Sequence, residues 1–244
     1  MNNYLHFFET EYQFNDLYNG SDYDEPWVSY IQETSAVAFN KHELPYIEIA
    51  GIKWARMNIG ATAVTDYGLY FQWGDISGYT ADQVGSGTGQ KYFGWADYKY
   101  GNGTSTGMTK YNGTDGKTVL DLSDDAVNAA WGGNWRMPTT DEFAALVNQV
   151  NTAWTADYQG TGIAGMVCTD KTDSSKVLFF PAAGRCNNGT VYDVGKKRAG
   201  HYWSSSRTLQ IAQWTYTLYF SDAGVEQGSD TRCNGFPLRG VLDE

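Results

Sequence analysis

Side chains able to do chemistry are few in this chain, and they are scattered. His6, His42 and His201 lie far apart, no His-x-x-x-His or Cys-x-x-Cys pair occurs, and neither a Gly-x-Ser-x-Gly elbow nor a phosphate-loop motif is present. Nucleophile activation and zinc ligation depend on such groupings, so no catalytic residue, metal ligand or cofactor is expected. Asp121, Asp124 and Asp125 gather oxygens as hard-cation sites do. They also stand at a helix start, and the favourable dipole there is the simpler account. The stretch Gly85-Ser86-Gly87-Thr88-Gly89 lacks the preceding apolar strand that a phosphate cradle needs. Cys168, Cys186 and Cys233 are odd in number and without metal spacing, and no disulfide is expected.

Recognition suits these residues better. Trp214, Tyr216, Leu218 and Phe220 alternate with Thr215, Thr217, Tyr219 and Ser221, the period of a strand with one buried and one exposed face. One Tyr among small polar residues offers contact area at low entropic cost. The expected binding surface is therefore the exposed face of this strand with the loops at 207–211, 221–224 and 228–234. An ordinary polar sheet face without a ligand is the competing reading. The composition agrees with recognition, or equally with a loop-rich β protein that needs Gly for its turns: 16% of residues are aromatic, only 18% are charged, and Gly numbers 28. The formal charge is -11 with 17 Lys plus Arg and no basic run, so nucleic acid and anionic membrane are poor partners.

The elements that position this surface centre on Trp131-Gly132-Gly133-Asn134-Trp135-Arg136-Met137-Pro138-Thr139. Thr139 and Glu142 form a capping box, and Phe143, Leu146, Val147 and Val150 follow at helical spacing. A shorter helix is expected from Ser123 through Ala130, stopped by Gly132 and Gly133, so that the two helices meet at a Trp131/Trp135 corner. Tyr46 to Ala55 reads as a hairpin around Ala50-Gly51, and Gly165–Cys168, Lys176–Pro181 and Gly235–Val241 as strands. Aromatics between 67 and 118 are expected to pack long loops rather than stack on sugars. Trp131, Trp135, Phe143, Leu146, Trp203, Trp214, Leu218 and Phe220 are expected to share one core. Residues 1–44 read as a small N-terminal β module, with strands at Pro26–Ile31 and Ala36–Asn40, too poor in apolar residues to stand alone and suited to assembly or docking; a simple N-terminal extension of the main sheet is the alternative. No secretory signal is visible at Met1–Glu9, and no transmembrane segment in the chain.

In order, Gly68-Leu69-Tyr70-Phe71-Gln72-Trp73-Gly74-Asp75, Thr109-Lys110-Tyr111-Asn112, Asp124-Asp125-Ala126, Trp131 to Thr139, Tyr202-Trp203-Ser204-Ser205-Ser206 and Gly235-Phe236-Pro237-Leu238-Arg239 resemble the major paralogous domain of Fibrobacter succinogenes, widespread in Bacteroidetes. The resemblance implies an α+β, C-type-lectin-like fold over residues 45–244, two helices packed on a twisted antiparallel sheet with long loops. It also implies distant kinship to formylglycine-generating enzymes and to the variable proteins of diversity-generating retroelements. Residues 1–44 lie outside it, although Pro26-Trp27-Val28-Ser29-Tyr30 is similar to N-terminal segments of gut Bacteroides phage proteins. Only Cys233 lies where those oxidases use a cysteine pair, and the Glu-Pro-Asn, Gln-Pro-Asp and Trp-Asn-Asp calcium motifs of sugar-binding lectins are missing.

By this resemblance the chain is expected to be a non-enzymatic receptor-binding or adhesin-type protein, diversified by a retroelement. Its ligand would be a protein or glycan on a host cell surface, and its place a phage virion or the extracellular surface. Residues 1–44 would serve homo-oligomer formation or virion docking. The positions expected to face the ligand are Thr208, Leu209, Ile211, Thr215, Thr217, Tyr219, Ser221, Asp222, Ala223, Gly224, Gly228, Ser229, Asp230, Thr231, Cys233 and Asn234, every one a residue that adenine-directed mutation can reach. A bacterial surface glycan-binding adhesin is the alternative, and an oxidase related to formylglycine generators a third reading.

Overall fold

The computed structural model describes residues 46–244 except 194, 196 and 197, together with the backbone of 4–7 and 10–13. The chain forms two compact units, Met1–Pro45 and Tyr46–Glu244. In the first, β1 (Tyr4–Phe7) pairs antiparallel with β2 (Thr10–Gln13), Tyr4 opposite Gln13. The strands expected at Pro26–Ile31 and Ala36–Asn40 lie outside the described residues.

The second unit is α+β, built mostly of antiparallel sheet with two α-helices among the described residues. It opens with β3 (Tyr46–Ile49) and β4 (Ile52–Asn58), joined by Ala50 and Gly51 at φ 58° and 73°. Positive φ at both central residues matches the twist of a tight hairpin. The closing strand, β14 (Arg239–Leu242), lies between β4 and the two-residue β5 (Trp135–Arg136), with Val241 opposite both Trp54 and Arg136. It begins later than expected, because Phe236 instead bridges to Phe71.

Helix α1 (Ala126–Trp131) starts at Asp125, not Ser123. One Asp125 oxygen accepts from Val127 N (2.9 Å) and Asn128 N (3.1 Å), while the other accepts from Met137 N at 2.7 Å. Residues Leu122–Asp124 form a separate 3-10 turn. Gly132 and Gly133, at φ 68° and 56°, end α1, and the Trp131 and Trp135 rings then meet edge to face at 5.1 Å. The capping box of α2 (Thr140–Gln149) is complete: Glu142 N donates to Thr139 Oγ1 (3.2 Å) and Thr139 N to Glu142 Oε2 (2.7 Å). Val150 leaves the helix to open β6 (Val150–Thr155), which continues through β7 (Gly165–Asp170) and β8 (Val177–Pro181) as a meander. A small hairpin, β9 (Arg185–Asn187) and β10 (Thr190–Tyr192), precedes the last sheet, β11 (Ala199–Arg207), β12 (Trp214–Ser221) and β13 (Gly224–Thr231).

Pairing in that sheet sorts side chains onto two faces, because residues directly opposite share a face. Leu218, Tyr202 and Phe220 share one, and pack with Phe143, Leu146, Met166, Cys168, Leu178, Phe180 and Trp54 in the main core. The other face carries Trp203, opposite Thr217, and is covered by the long loops. There Trp203 stacks on Phe236 at 4.0 Å and donates from Nε1 to Phe71 O (2.8 Å), while Trp73 Nε1 donates to Ser204 O at 2.8 Å. Trp203 thus lies apart from the core expected to contain it. Tyr70, Phe71, Trp73, Phe93, Tyr98 and Tyr111 are all buried, so the loop aromatics mainly pack the loops. Among the described residues no helix is long and apolar enough to cross a membrane.

Candidate functional site

The expected surface comes apart in three dimensions. Ser221, Asp222, Ala223 and Gly224 form the hairpin turn at one end of β12, whereas Thr208, Leu209, Ile211 and Thr231 lie at the other. At about 3.3 Å per residue, an eight-residue strand holds its ends about 23 Å apart. Several chosen positions are also enclosed. Thr215 and Thr217 are buried, not solvent-facing, since the loop layer covers their side of the sheet; Thr215 Oγ1 donates to Ser206 O at 2.6 Å. Thr208 is buried with Oγ1 2.7 Å from Ile211 O, and Cys233 and Asn234 are buried too. Conversely Trp214, expected in the core, is 39% exposed because it sits at the sheet's end. Tyr219 is half-buried, its ring 4.9 Å from His201. Gly228 and Ser229, on β13, are also half-buried.

What remains is the end of the sheet, open at the β11–β12 loop and partly covered on the side that Asp230 shares with Thr215. The β11–β12 loop holds Leu209 63% and Ile211 44% exposed beside Trp214. Its backbone is firmly tied: Arg207 N donates to Thr118 O (2.9 Å), Trp214 N to Ile211 O (3.0 Å) and Arg232 N to Gln213 O (3.0 Å). Arg207 further donates through Nη1 to Thr208 O (3.0 Å) and through Nε to Lys117 O. Arg232 is fully buried, 4.7 Å above the Trp73 ring, and its Nη2 donates to Tyr111 O at 2.7 Å. Burial pulls its pKa below the ordinary arginine value. Sequence reasoning missed these arginines, because their partners are carbonyl oxygens about a hundred residues away that leave no motif.

On the partly covered side, Asp230 lies with Thr215, opposite in direction to Trp214 and Thr231. Asp230 Oδ2 accepts from Arg185 Nη1 at 3.2 Å, and Oδ1 from Asn234 Nδ2 at 2.8 Å and Thr231 N at 2.7 Å. Asn187 Nδ2 donates in turn to Asn234 Oδ1. Arg185 stands opposite Tyr192 in the β9–β10 ladder, its guanidinium 5.6 Å from that ring. His201, enclosed between the Tyr219 and Phe236 rings, is pushed down to about 4 by burial first and then by the Arg185 charge.

The acidic trio is divided between a helix cap and lysine ammonium groups. Asp125 caps α1, and Asp124 accepts from Lys99 Nζ (3.0 Å), Lys110 Nζ (2.5 Å) and the Tyr111 hydroxyl (2.6 Å). Although burial alone would raise its pKa, these donors hold Asp124 well below the usual carboxylate range. Asp121 pairs with Lys110 at 2.7 Å and Lys117 at 2.5 Å. Among the described residues no three His, Cys, Asp or Glu side chains are grouped to hold a metal ion. In the glycine-rich loop, Gln90 Oε1 accepts from Gly87 N at 3.0 Å and packs close against Gly85. The three cysteines are free and buried, and burial raises Cys168 and Cys186 to about 12 and Cys233 to about 11, so all carry protons at neutral pH.

No family model, curated protein or solved structure matches the chain.

Proposed function

We propose that residues 46–244 are a non-enzymatic binding module of C-type-lectin-like fold that presents the β11–β12 loop and the adjoining end of β13 to a protein ligand on a cell surface. One observation carries this reading: Leu209, Ile211 and Trp214 are exposed large apolar side chains on, and at the end of, a loop whose backbone is pinned by Arg207, Thr208 and Arg232. Full burial of an aliphatic side chain is worth about 1.5–3 kcal/mol, and a partner would recover the part of it that the isolated chain forgoes at these partly exposed positions. A pre-ordered loop loses little entropy on binding, and Trp is among the residue types enriched at interface hot spots.

Display on a phage virion, retroelement diversification of this end and assembly through residues 1–44 belong to the same proposal and rest on the resemblance. A reverse transcriptase gene beside a near-copy of the segment coding for residues 207–234 would support diversification, and codons outside the adenine-mutable set would remove it. The binding role is tested by flow cytometry of labelled protein on a panel of gut Bacteroidetes cells. The variant Leu209→Ser/Ile211→Ser/Trp214→Ser should keep its melting temperature and lose at least about tenfold in cell binding, in line with hot-spot truncation. Undiminished binding by the folded triple variant places the site elsewhere.

A further inference from the structure

We propose that Asn102 is a site of spontaneous covalent modification: the Gly103 amide nitrogen attacks its carboxamide, and water converts the product to aspartate and isoaspartate. The other described Asn-Gly pairs are protected by the fold. This chemistry is independent of the protein-binding reading.

Asparagine is among the thermolabile residues. The reaction needs its carboxamide and the following backbone N–H both free to meet, with glycine next in sequence, since a Cβ there would stand in the path. The Gly103 nitrogen, its proton passed to solvent base, bonds to Asn102 Cγ and expels ammonia. Water then opens the resulting succinimide. Opening at one carbonyl gives aspartate, and at the other isoaspartate, whose backbone runs through Cβ and Cγ. Water is the one co-reactant, and nothing is oxidised or reduced.

Asn-Gly occurs five times in the sequence, and four of the pairs, starting at Asn102, Asn112, Asn188 and Asn234, fall among the described residues. Three are locked, each differently. Asn112 Nδ2 donates to Met108 O (2.8 Å) and its Oδ1 accepts from Thr114 N (2.8 Å) and Asp115 N (3.2 Å), so the carboxamide is held. At Asn188 the nitrogen is held: Gly189 N donates to Tyr92 O, and a Cβ on Gly189 would lie 3.0 Å from Gly85 C. Asn234 is 2% exposed, its carboxamide is bound to Asp230 and Asn187, and Gly235 N donates to Cys186 O at 2.8 Å.

Asn102 has none of these ties. It is exposed with Gly103 in a turn closed by the bond from Thr104 N to Gly101 O, 2.9 Å. Among the described residues no group hydrogen-bonds its carboxamide, and the Gly103 N–H meets no backbone acceptor. A Cβ built on Gly103 would have no atom within 4 Å, so nothing crowds the site of attack. An exposed loop tip held by one backbone bond is among the segments that open most readily, which frees Asn102 to rotate toward the Gly103 nitrogen. Thr109 N donates to Tyr100 O (2.9 Å) at the base of the loop, confining the added charge and lengthened backbone to its tip.

For the test, full-length protein is held for weeks in mildly alkaline buffer, native and in guanidinium chloride, then digested and read by peptide mass spectrometry with isoaspartate resolved by chromatography. Expected in the native sample is conversion at Asn102 at least about tenfold faster than at Asn112, Asn188 and Asn234, a gap that closes in guanidinium as the other three are released. Gly103→Ala should slow conversion at Asn102 at least about tenfold. Equal native rates at the four positions, a gap that persists in guanidinium, or an undiminished rate in folded Gly103→Ala protein overturns the proposal.

Discussion

Replacing Asp124 by Asn tests how the loop layer is held over the last sheet. The Asp124 side chain is 7% exposed and receives Lys99, Lys110 and the buried Tyr111 hydroxyl. Hydrogen bonds to a charged group are worth about 1.5–3 kcal/mol when enclosed. Both lysines reach solvent, so their share is discounted to about 1 kcal/mol or less each. Asn keeps the shape and one acceptor oxygen, which leaves an expected loss of about 2 kcal/mol near neutral pH. The pH dependence is the sharper readout. Asp124 is held below its unfolded value of about 3.9, so its contribution is complete above that pH and fades as pH falls toward the native pKa. The gap between wild type and Asp124→Asn should therefore narrow below about pH 4, by at most about 1.4 kcal/mol per pH unit. Urea unfolding followed by tryptophan fluorescence, with Trp73 5.1 Å from Tyr111, measures it. Because Arg232 donates to Tyr111 O and Lys110 O, amide exchange at Arg232 and Cys233 should also quicken in the variant. A neutral substitution at pH 7, or a gap unchanged on acidification, refutes the reasoning.

Trp135→Ala, removing a buried ring packed edge to face on Trp131, should destabilise by about 3–5 kcal/mol in thermal or urea melts, whereas Trp214→Ala should change stability by less than about 1 kcal/mol. Equal effects would mean the sheet end is not open. Gly165→Ala should destabilise by about 3 kcal/mol or abolish soluble expression, because the added Cβ would lie 2.2 Å from Phe180 O, a backbone atom held in the β7–β8 ladder. For His201, whose native pKa is pushed down to about 4, the unfolded chain gains a proton below about pH 6.5 that the folded chain refuses. Wild type should accordingly lose stability as pH falls from about 6.5 toward 4, and His201→Gln should flatten that stretch of the curve; identical slopes would count against the enclosure of the ring.

Local chemistry was legible in the sequence. The Thr139/Glu142 capping box, the Ala50-Gly51 turn, the glycine stop after α1 and the period of the 214–221 strand each depend on residues within a few positions of one another. The partners that form the caps and turns are therefore close in sequence whatever the rest of the chain does. Even the error at Asp125 is of this kind, since Ser123 and Asp125 compete locally and the Met137 amide, twelve residues on, decides for Asp125.

Tertiary structure decided which faces are covered. Period two tells that Thr215 and Thr217 oppose Leu218 and Phe220, but burial depends on what packs above them, and here the loops bury both threonines. It likewise decided that Trp214, at a strand end, stays open while Trp203, deeper in the same sheet, is enclosed. Arg239 shows the limit most plainly. It donates to Ala55 O, 184 residues away, and to Phe179 O, 60 away, and is enclosed beside the Phe180 ring. Carbonyl oxygens belong to every residue, so no side-chain pattern marks these partners; only the approach of β4 and β8 to β14 supplies them. Arg185 and Asp230 lie 45 positions apart and meet for the same reason, at a surface that exists only once the β9–β10 hairpin reaches the end of β13.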